Sequence, residues 1–266
     1  MRIVVCIKQV IDPEVPPSEF RIDPQKKEAV QGRANLVIST FDECALEVAL
    51  QVKDKVPETT VTALTFGPKS AEEALRKALA MRADEAVRVD TDRTGRMDPA
   101  GVAQVLASTI QKIGGADVVL FGREGADFDS AQVGQMTAEA LEMPLITLAT
   151  EMEAVDKGIR ARRHGDDGWS VVEAPTPVAL TITNAPVNVP RIPKVKDVMQ
   201  AHRKPITTMT LDELGIDPAI LSEAAPVEME ELFIPEVNNQ VTIIEGETPE
   251  EKAEKLAQAI LALKVL

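Results

Sequence analysis

Tyrosine is absent from this 266-residue chain, tryptophan occurs once and phenylalanine six times, so aromatics make up only 3% of it. That scarcity excludes the stacking platforms that bind single-stranded nucleic acid. Positive charge is also short: 29 Lys and Arg stand against 43 Asp and Glu, a net charge of −14. So acidic a surface repels a phosphate backbone, and no nucleic-acid partner is expected. Two cysteines, Cys6 and Cys44, cannot make a disulfide framework, and no CxxC pair offers a redox couple or zinc ribbon. With only His164 and His202 as imidazoles, a histidine-rich metal site is excluded and no metal is expected. No apolar run approaches the ~20 residues that span a bilayer. The opening MRIVVCIK stops at Lys8, too short for a secretory signal. The expectation is a soluble cytoplasmic protein without membrane insertion, or an organelle-matrix protein after processing. GxSxG, GxxxxGK, GxGxxG and HExxH motifs are all missing, and nothing has the form of an enzyme's acid–base pair.

The residues that are present alternate between two periods. Ile3 to Ile7 is a continuous β-rich run that suits a parallel strand buried on both faces. The spacing of Ala45, Val48, Ala49 and Val52 predicts a helix over 41–56, with Asp42 and Glu43 at its positive end. Val61 to Phe66 is a second strand. Ser70 and Glu73 have the form of a capping box opening a helix to about Met81. A strand over 86–89, a helix over 99–113 and a strand over 117–121 come next. The helix after them is expected to start near Ser130, with Val133, Met136, Ala140 and Leu141 turned inward. Four strand–helix alternations call for an α/β fold with a doubly wound, mostly parallel sheet. Such sheets bind ligands outside the carboxyl ends of their strands, here after Ile7, Phe66 and Phe121.

Beyond Pro144 the pattern changes. Ile159 to His164 and Trp169 to Glu173 flank the four-residue turn Gly165–Gly168, a β-hairpin insertion. Val178 to Thr183 is another strand, and five prolines between Pro175 and Pro193 make the chain around and beyond it stiff and irregular. The expected division is an α/β domain over 1–225 and a C-terminal arm over 226–266. In the arm, 226–239 is acidic and extended. Thr248 then caps a helix with Pro249 at its first position, Glu251 completing a capping box. Ala253, Leu256, Ala257, Ile260 and Leu263 form one apolar stripe, which packs either on its own domain or on a partner subunit.

Two stretches carry chemistry. Gly122 to Gly134 lies between a buried strand and a helix, whose unpaired N–H groups suit a phosphate. Ser130 adds a hydroxyl, and Asp127 and Asp129 suit ribose hydroxyls, so a whole nucleotide fits better than a bare anion. The other reading is a polar loop capped by Asp129. The second stretch holds Arg191, Lys194, Lys196, Arg203 and Lys204 against the single acid Asp197. It is either a docking surface for an acidic partner or a solvated helix face. Cys6 and Cys44 read as packing residues, His164 and His202 as surface residues.

Several segments together resemble the β subunit of electron transfer flavoproteins, nearly end to end. They are IVVCIKQVID (3–12), TFDECALEVAL (40–50), FGP (66–68), ALAMRADEAVRV (78–89), VVLFGREGADFDSAQVGQMTAEAL (118–141), NVPRIPKVKDVMQAHRKPI (188–206) and IIEGETPEEKAEKL (243–256). The resemblance implies an adenine-nucleotide α-hydrolase-like fold and a heterodimer with an α subunit, on which the C-terminal arm docks. It implies an FAD shared with that subunit, electrons arriving from acyl-CoA dehydrogenase-like flavoenzymes, and a membrane quinone oxidoreductase or other acceptor. It further implies a nucleotide in this chain, held by Cys6, Ser39, Thr40, Phe41, Asp42, Phe66, Gly122, Arg123, Glu124, Asp127, Asp129, Ser130, Gln132, Val133, Gly134 and Thr137.

Two departures bear on these expectations. Ser130-Ala-Gln-Val-Gly134 is similar to electron-bifurcating members, which hold a second FAD and oxidise NADH. Gln135-Met-Thr137 is similar to members holding AMP, and Phe128, in place of the small Gly of bifurcating members, leans against a second FAD because its bulk takes up space near the nucleotide. AMP is the expected ligand, a second FAD the alternative. In the family's dehydrogenase-docking peptide a Leu-Pro pair comes a few residues after Pro-Arg. Here Pro190 and Arg191 are kept, and Val195-Lys196 replaces the pair, with Met199 beyond it. The shorter anchor forgoes about 1 kcal/mol of burial.

Overall fold

The computed structural model describes residues 1–92, 97–221, 229–235 and 241–263. The N-terminal part runs β1 (Arg2–Cys6), β2 (Gln9–Ile11), β3 (Arg21–Asp23), β4 (Glu28–Val30), β5 (Leu36–Ile38), α1 (Thr40–Lys55), β6 (Thr60–Gly67), α2 (Glu72–Ala80) and β7 (Glu85–Asp90). Then come α3 (Pro99–Lys112), β8 (Val118–Gly122), α4 (Val133–Ala140), β9 (Leu145–Val155), β10 (Gly158–Gly165), β11 (Gly168–Pro175) and β12 (Val178–Ile182). The last elements are α5 (Val195–Ala201), β13 (Thr207–Met209) and α6 (Pro249–Ala262).

One nine-stranded sheet has the order β11-β10-β9-β12-β8-β1-β6-β7-β13. From β9 to β13 every pairing is parallel, and the β10–β11 hairpin adds two antiparallel strands at one edge. β1 lies in the middle, with Ile3 opposite both Val61 and Val118. Its alternating side chains divide the core in two. Ile3 and Val5 join Leu46, Val48 and Ala49 of α1 and Leu75 and Ala78 of α2, while Val4 and Cys6 join Val105, Leu106 and Ile110 of α3 and Ala138 of α4. The continuous apolar run is therefore the signature of helices on both faces.

Four details differ from the sequence expectations. Ser70 caps nothing: a 3₁₀ turn over Lys69–Ala71 leads into α2, whose N-cap Ala71 makes no side-chain cap. α4 begins at Val133 rather than near Ser130, because Asp129 and Ala131 take left-handed backbone (φ 47° and 50°). Its inward face is Gly134, Thr137 and Ala138; Met136 and Ala140 are exposed. β9 was not legible, since its first half pairs parallel with β12 and its second half antiparallel with β10. Leu148, at φ 56°, breaks the alternation between them.

The chain divides into two compact units, Met1–Leu232 and Phe233–Leu266. In the second, Thr248 caps α6 by accepting from the Glu251 amide at 3.2 Å, with Pro249 in the first turn. No residue of α6 is buried, and Leu256 and Leu263 of the apolar stripe are exposed. Of the stretch expected to be extended, residues 229–235 form neither helix nor strand; 226–228 and 236–239 lie outside the described residues.

Candidate functional site

The carboxyl ends of β1, β6 and β8 open into a cleft with about 970 Å³ of empty space, the open solvent at its mouth included. Phe66, Met97, Val102, Leu106, Phe121 and Val133 give it apolar walls. Lys8, Asp42, Arg123, Glu124, Asp127, Ser130 and Gln132 add polar groups, the last beside the first turn of α4. A Cβ on Gly134 would stand 3.1 Å from Thr181 and 3.2 Å from Phe121, so that turn lies tight against β8 and β12. A helix start beside a cleft leaves unpaired N–H groups near it, which suits an anion.

Asp42 ties three segments together. Its carboxylate accepts from the Lys8 amide at the end of β1 and from the Gly122 amide at the end of β8, both at 2.8 Å. Burial pushes its pKa up to about 7, against the lowering effect of those two amides. The same burial, with Asp42 nearby, pushes the Cys6 thiol well above its ordinary range. Cys44, buried on α1, is pushed up to about 11 by burial and the neighbouring carboxylates. Both thiols are held protonated and serve as packing groups.

The charges around the mouth are paired. Lys8 Nζ meets Asp127 at 2.6 Å and lies 5.6 Å from the Phe128 ring centroid. Arg123 pairs with Glu124 at 2.6 Å while its guanidinium stands 4.3 Å from the Phe41 ring centroid. The loop before α4 is held from below, the Ala126 amide donating to Ser39 Oγ at 3.1 Å.

Of the residues expected in the site, Cys6, Asp42, Phe66, Gly122, Arg123, Glu124, Asp127, Ser130, Gln132, Val133 and Gly134 line this one cleft. Ser39, Thr40, Phe41, Asp129 and Thr137 do not line it. Ser39 is buried under the loop, Phe41 lies beneath Arg123, and Thr137 donates its hydroxyl to the Val133 carbonyl at 2.7 Å. Thr40 and Asp129 are exposed. Lys8, Met97, Val102 and Leu106 line the cleft although sequence reasoning missed them. Lys8, the first polar residue beyond the central strand, carried a signal, as did the i, i+4 pair Val102 and Leu106 on α3.

The basic segment is divided by the fold. Arg191 is half-buried against Glu47 and Asp54, and Lys204 Nζ donates to the Ala83 carbonyl at 2.9 Å. Val195, Lys196 and Met199 are exposed, and Pro190 is partly covered. His164 and His202 are exposed as expected. Among the described residues no helix is long and apolar enough to cross a membrane, and no acid, His and Cys cluster could hold a metal ion.

A family model described as the electron transfer flavoprotein domain matches residues 29–214. The chain belongs to the electron transfer flavoprotein family. It is 35% identical to the caffeyl-CoA reductase–Etf complex subunit CarD of Acetobacterium woodii, over 98% of each chain. It is 36% identical to the electron transfer flavoprotein subunit beta of Clostridium acetobutylicum, over 95% of each. It is 30% identical to the acryloyl-CoA reductase electron transfer subunit gamma of Anaerotignum propionicum, over the full length of both. Membership in the electron transfer flavoprotein family places the chain in flavin-linked electron transport.

Proposed function

We propose that this chain is the β subunit of a heterodimeric electron transfer flavoprotein that receives electrons from acyl-CoA dehydrogenase-type flavoenzymes. An FAD shared with the α subunit carries them to a quinone oxidoreductase or another acceptor, and the cleft of this chain holds AMP. The observation that carries the reading is the cleft itself, an apolar cavity with a tightly seated helix start, formed by segments that resemble the family's nucleotide site. The residues present fit the nucleotide. Val102, Leu106 and Phe121 would take the base, and Ser130, Gln132 and the first turn of α4 the phosphate. Phe128 occupies part of the cleft wall, which favours the smaller ligand. FAD, where bound, accepts and releases electrons one or two at a time; AMP in this chain supplies no redox chemistry. The names of two relatives, parts of caffeyl-CoA and acryloyl-CoA reductase complexes, support a flavoenzyme acting on acyl-CoA as the partner.

A second reading rests on Ser130 to Gly134 and on the relative from the caffeyl-CoA reductase–Etf complex. In it the cleft holds a second FAD and the heterodimer bifurcates electrons from NADH. Acid extraction of the copurified complex, followed by mass-resolved chromatography, separates the two. One FAD and one AMP per heterodimer is expected. Two FAD without AMP would shift the function to bifurcation, and a chain that purifies without a flavin-bearing partner would overturn both.

A further inference from the structure

Residues 125–131 lead from the end of β8 towards α4, and Gly125, Asp127, Phe128, Ser130 and Ala131 among them line the cleft. None of the seven belongs to a helix or a strand. Asp129 and Ala131 have left-handed backbone, φ 47° and 50°, although neither is glycine. Such conformations cost free energy and persist only where the surroundings impose them. The Phe128 and Asp129 amides both donate to the Gly125 carbonyl, at 3.3 and 2.9 Å, so the stretch is a tight turn closed on itself. Among the described residues, two polar ties join it to the rest of the chain. Ser39 Oγ accepts from the Ala126 amide at 3.1 Å, and Lys8 Nζ meets Asp127 Oδ2 at 2.6 Å.

The sheet places Lys8 for that contact. It lies two residues beyond β1, and the Asp42 carboxylate fixes its amide at 2.8 Å, so the side chain starts from a rigid point. A Cβ on Gly125 would stand 2.8 Å from Asp127 Oδ1 and 3.5 Å from Lys8 Cδ; the bare α-carbon leaves room for the two side chains to meet beside it. Lys8 Nζ also lies 5.6 Å from the Phe128 ring centroid. One lysine thus reaches two consecutive residues of the loop, both in the cleft wall. The side chains of Lys8 and Asp127 are 51% and 28% exposed, so their pair is weak and open to screening by salt. A weak tie on a strained turn is a fastening that can be undone.

We propose that Lys8 and Asp127 form a clasp that keeps residues 125–131 shut on the nucleotide in the cleft, and that opening this clasp lets the nucleotide enter and leave. The proposal rests on the reading of the cleft as the AMP site. Lys8 is a positioning residue that acts through Asp127 and Phe128; the phosphate is left to Ser130, Gln132 and the first turn of α4.

The test uses the heterodimer loaded with isotope-labelled AMP. Release is followed after dilution into unlabelled AMP, together with hydrogen exchange of the amides over 125–131. Lys8→Met keeps most of the stem and removes one charge; Asp127→Asn removes the other. Each is expected to speed AMP release about three- to fivefold at low salt and to speed amide exchange in the loop. Wild-type release should approach the variant rate in about 1 M NaCl, where the variants respond little. The double variant Lys8→Met/Asp127→Asn should match either single one, and Lys8→Glu/Asp127→Lys, which exchanges the charges, should recover slow release. If Lys8 instead holds the phosphate, Lys8→Met speeds release while Asp127→Asn, by freeing the lysine, slows it, and the clasp is overturned. Unchanged release in both single variants overturns it as well. A wild-type heterodimer that retains no labelled AMP overturns the AMP reading and the clasp with it, an outcome that shows before any variant is compared.

Discussion

Asp42 shows how one carboxylate can organise a site without performing chemistry in it. It brackets the ends of β1 and β8 through two amide hydrogen bonds. Its pKa, raised from 3.8 to about 7 by burial, means that the folded chain holds this proton more tightly than the unfolded one. Between those two values the native state binds more protons, so Asp42 lowers stability progressively as pH rises from about 4 to 7. Asp42→Asn cannot titrate and removes that slope, a difference from wild type of up to about 1.4 kcal/mol per pH unit. At pH 5 the variant should be the less stable, because an amide NH₂ cannot accept from the second backbone N–H. Urea unfolding of both proteins at pH 5, 6 and 7 checks this; parallel curves would refute it. The sequence placed Asp42 at a positive helix end and in the expected site. It could not show the bracket, which depends on Gly122 arriving from another strand. The buried packing of Cys44 was legible from its place on a helix face.

At the scale of elements, the junction between β8 and α1 is the tightest support of the cleft. A Cβ on Gly122 would stand 2.5 Å from Asp42 Oδ1, 2.7 Å from the Asp42 amide nitrogen and 2.8 Å from the Phe41 carbonyl carbon. Two of those three neighbours are backbone and cannot rotate away. Gly122→Ala is expected to cost about 1–3 kcal/mol in chemical denaturation. On the proposed reading of the cleft it should also raise loss of the nucleotide on gel filtration, since the cleft wall must shift; wild-type stability would show that α1 yields. The apolar runs located the strands buried along their whole length, β8 and β12. Periodicity failed where other forces decide. Ser70 has capping chemistry but lies in a 3₁₀ turn. The start of α4 is set by two left-handed residues that no hydrophobic pattern marks. β2 to β5 and β13, three residues each, are too short to carry a period.

For the whole molecule, the doubly wound sheet was legible because its strands are buried on both faces and read as unbroken apolar runs. The cleft was half legible. The rule that ligands lie beyond strand carboxyl ends found the loop after β8, whereas the contribution of α3 emerges only from packing. The second unit offers α6, a well-capped helix with an unburied apolar stripe. Deleting residues 233–266 is expected to weaken association with the α subunit while the sheet stays folded. Gel filtration should then show separated subunits with an unchanged circular dichroism spectrum from the large unit. An undiminished heterodimer peak would remove the arm from the interface.

The central position of β1 has a consequence in time. Arg2 lies opposite Thr60 and Ile3 opposite Val118, so this strand leaves the ribosome long before either neighbour exists. Until β8 has been synthesised, one of its hydrogen-bonding edges must stay bare, with apolar side chains on both faces. Nascent chains halted before that point are the ones expected to aggregate or to recruit chaperones.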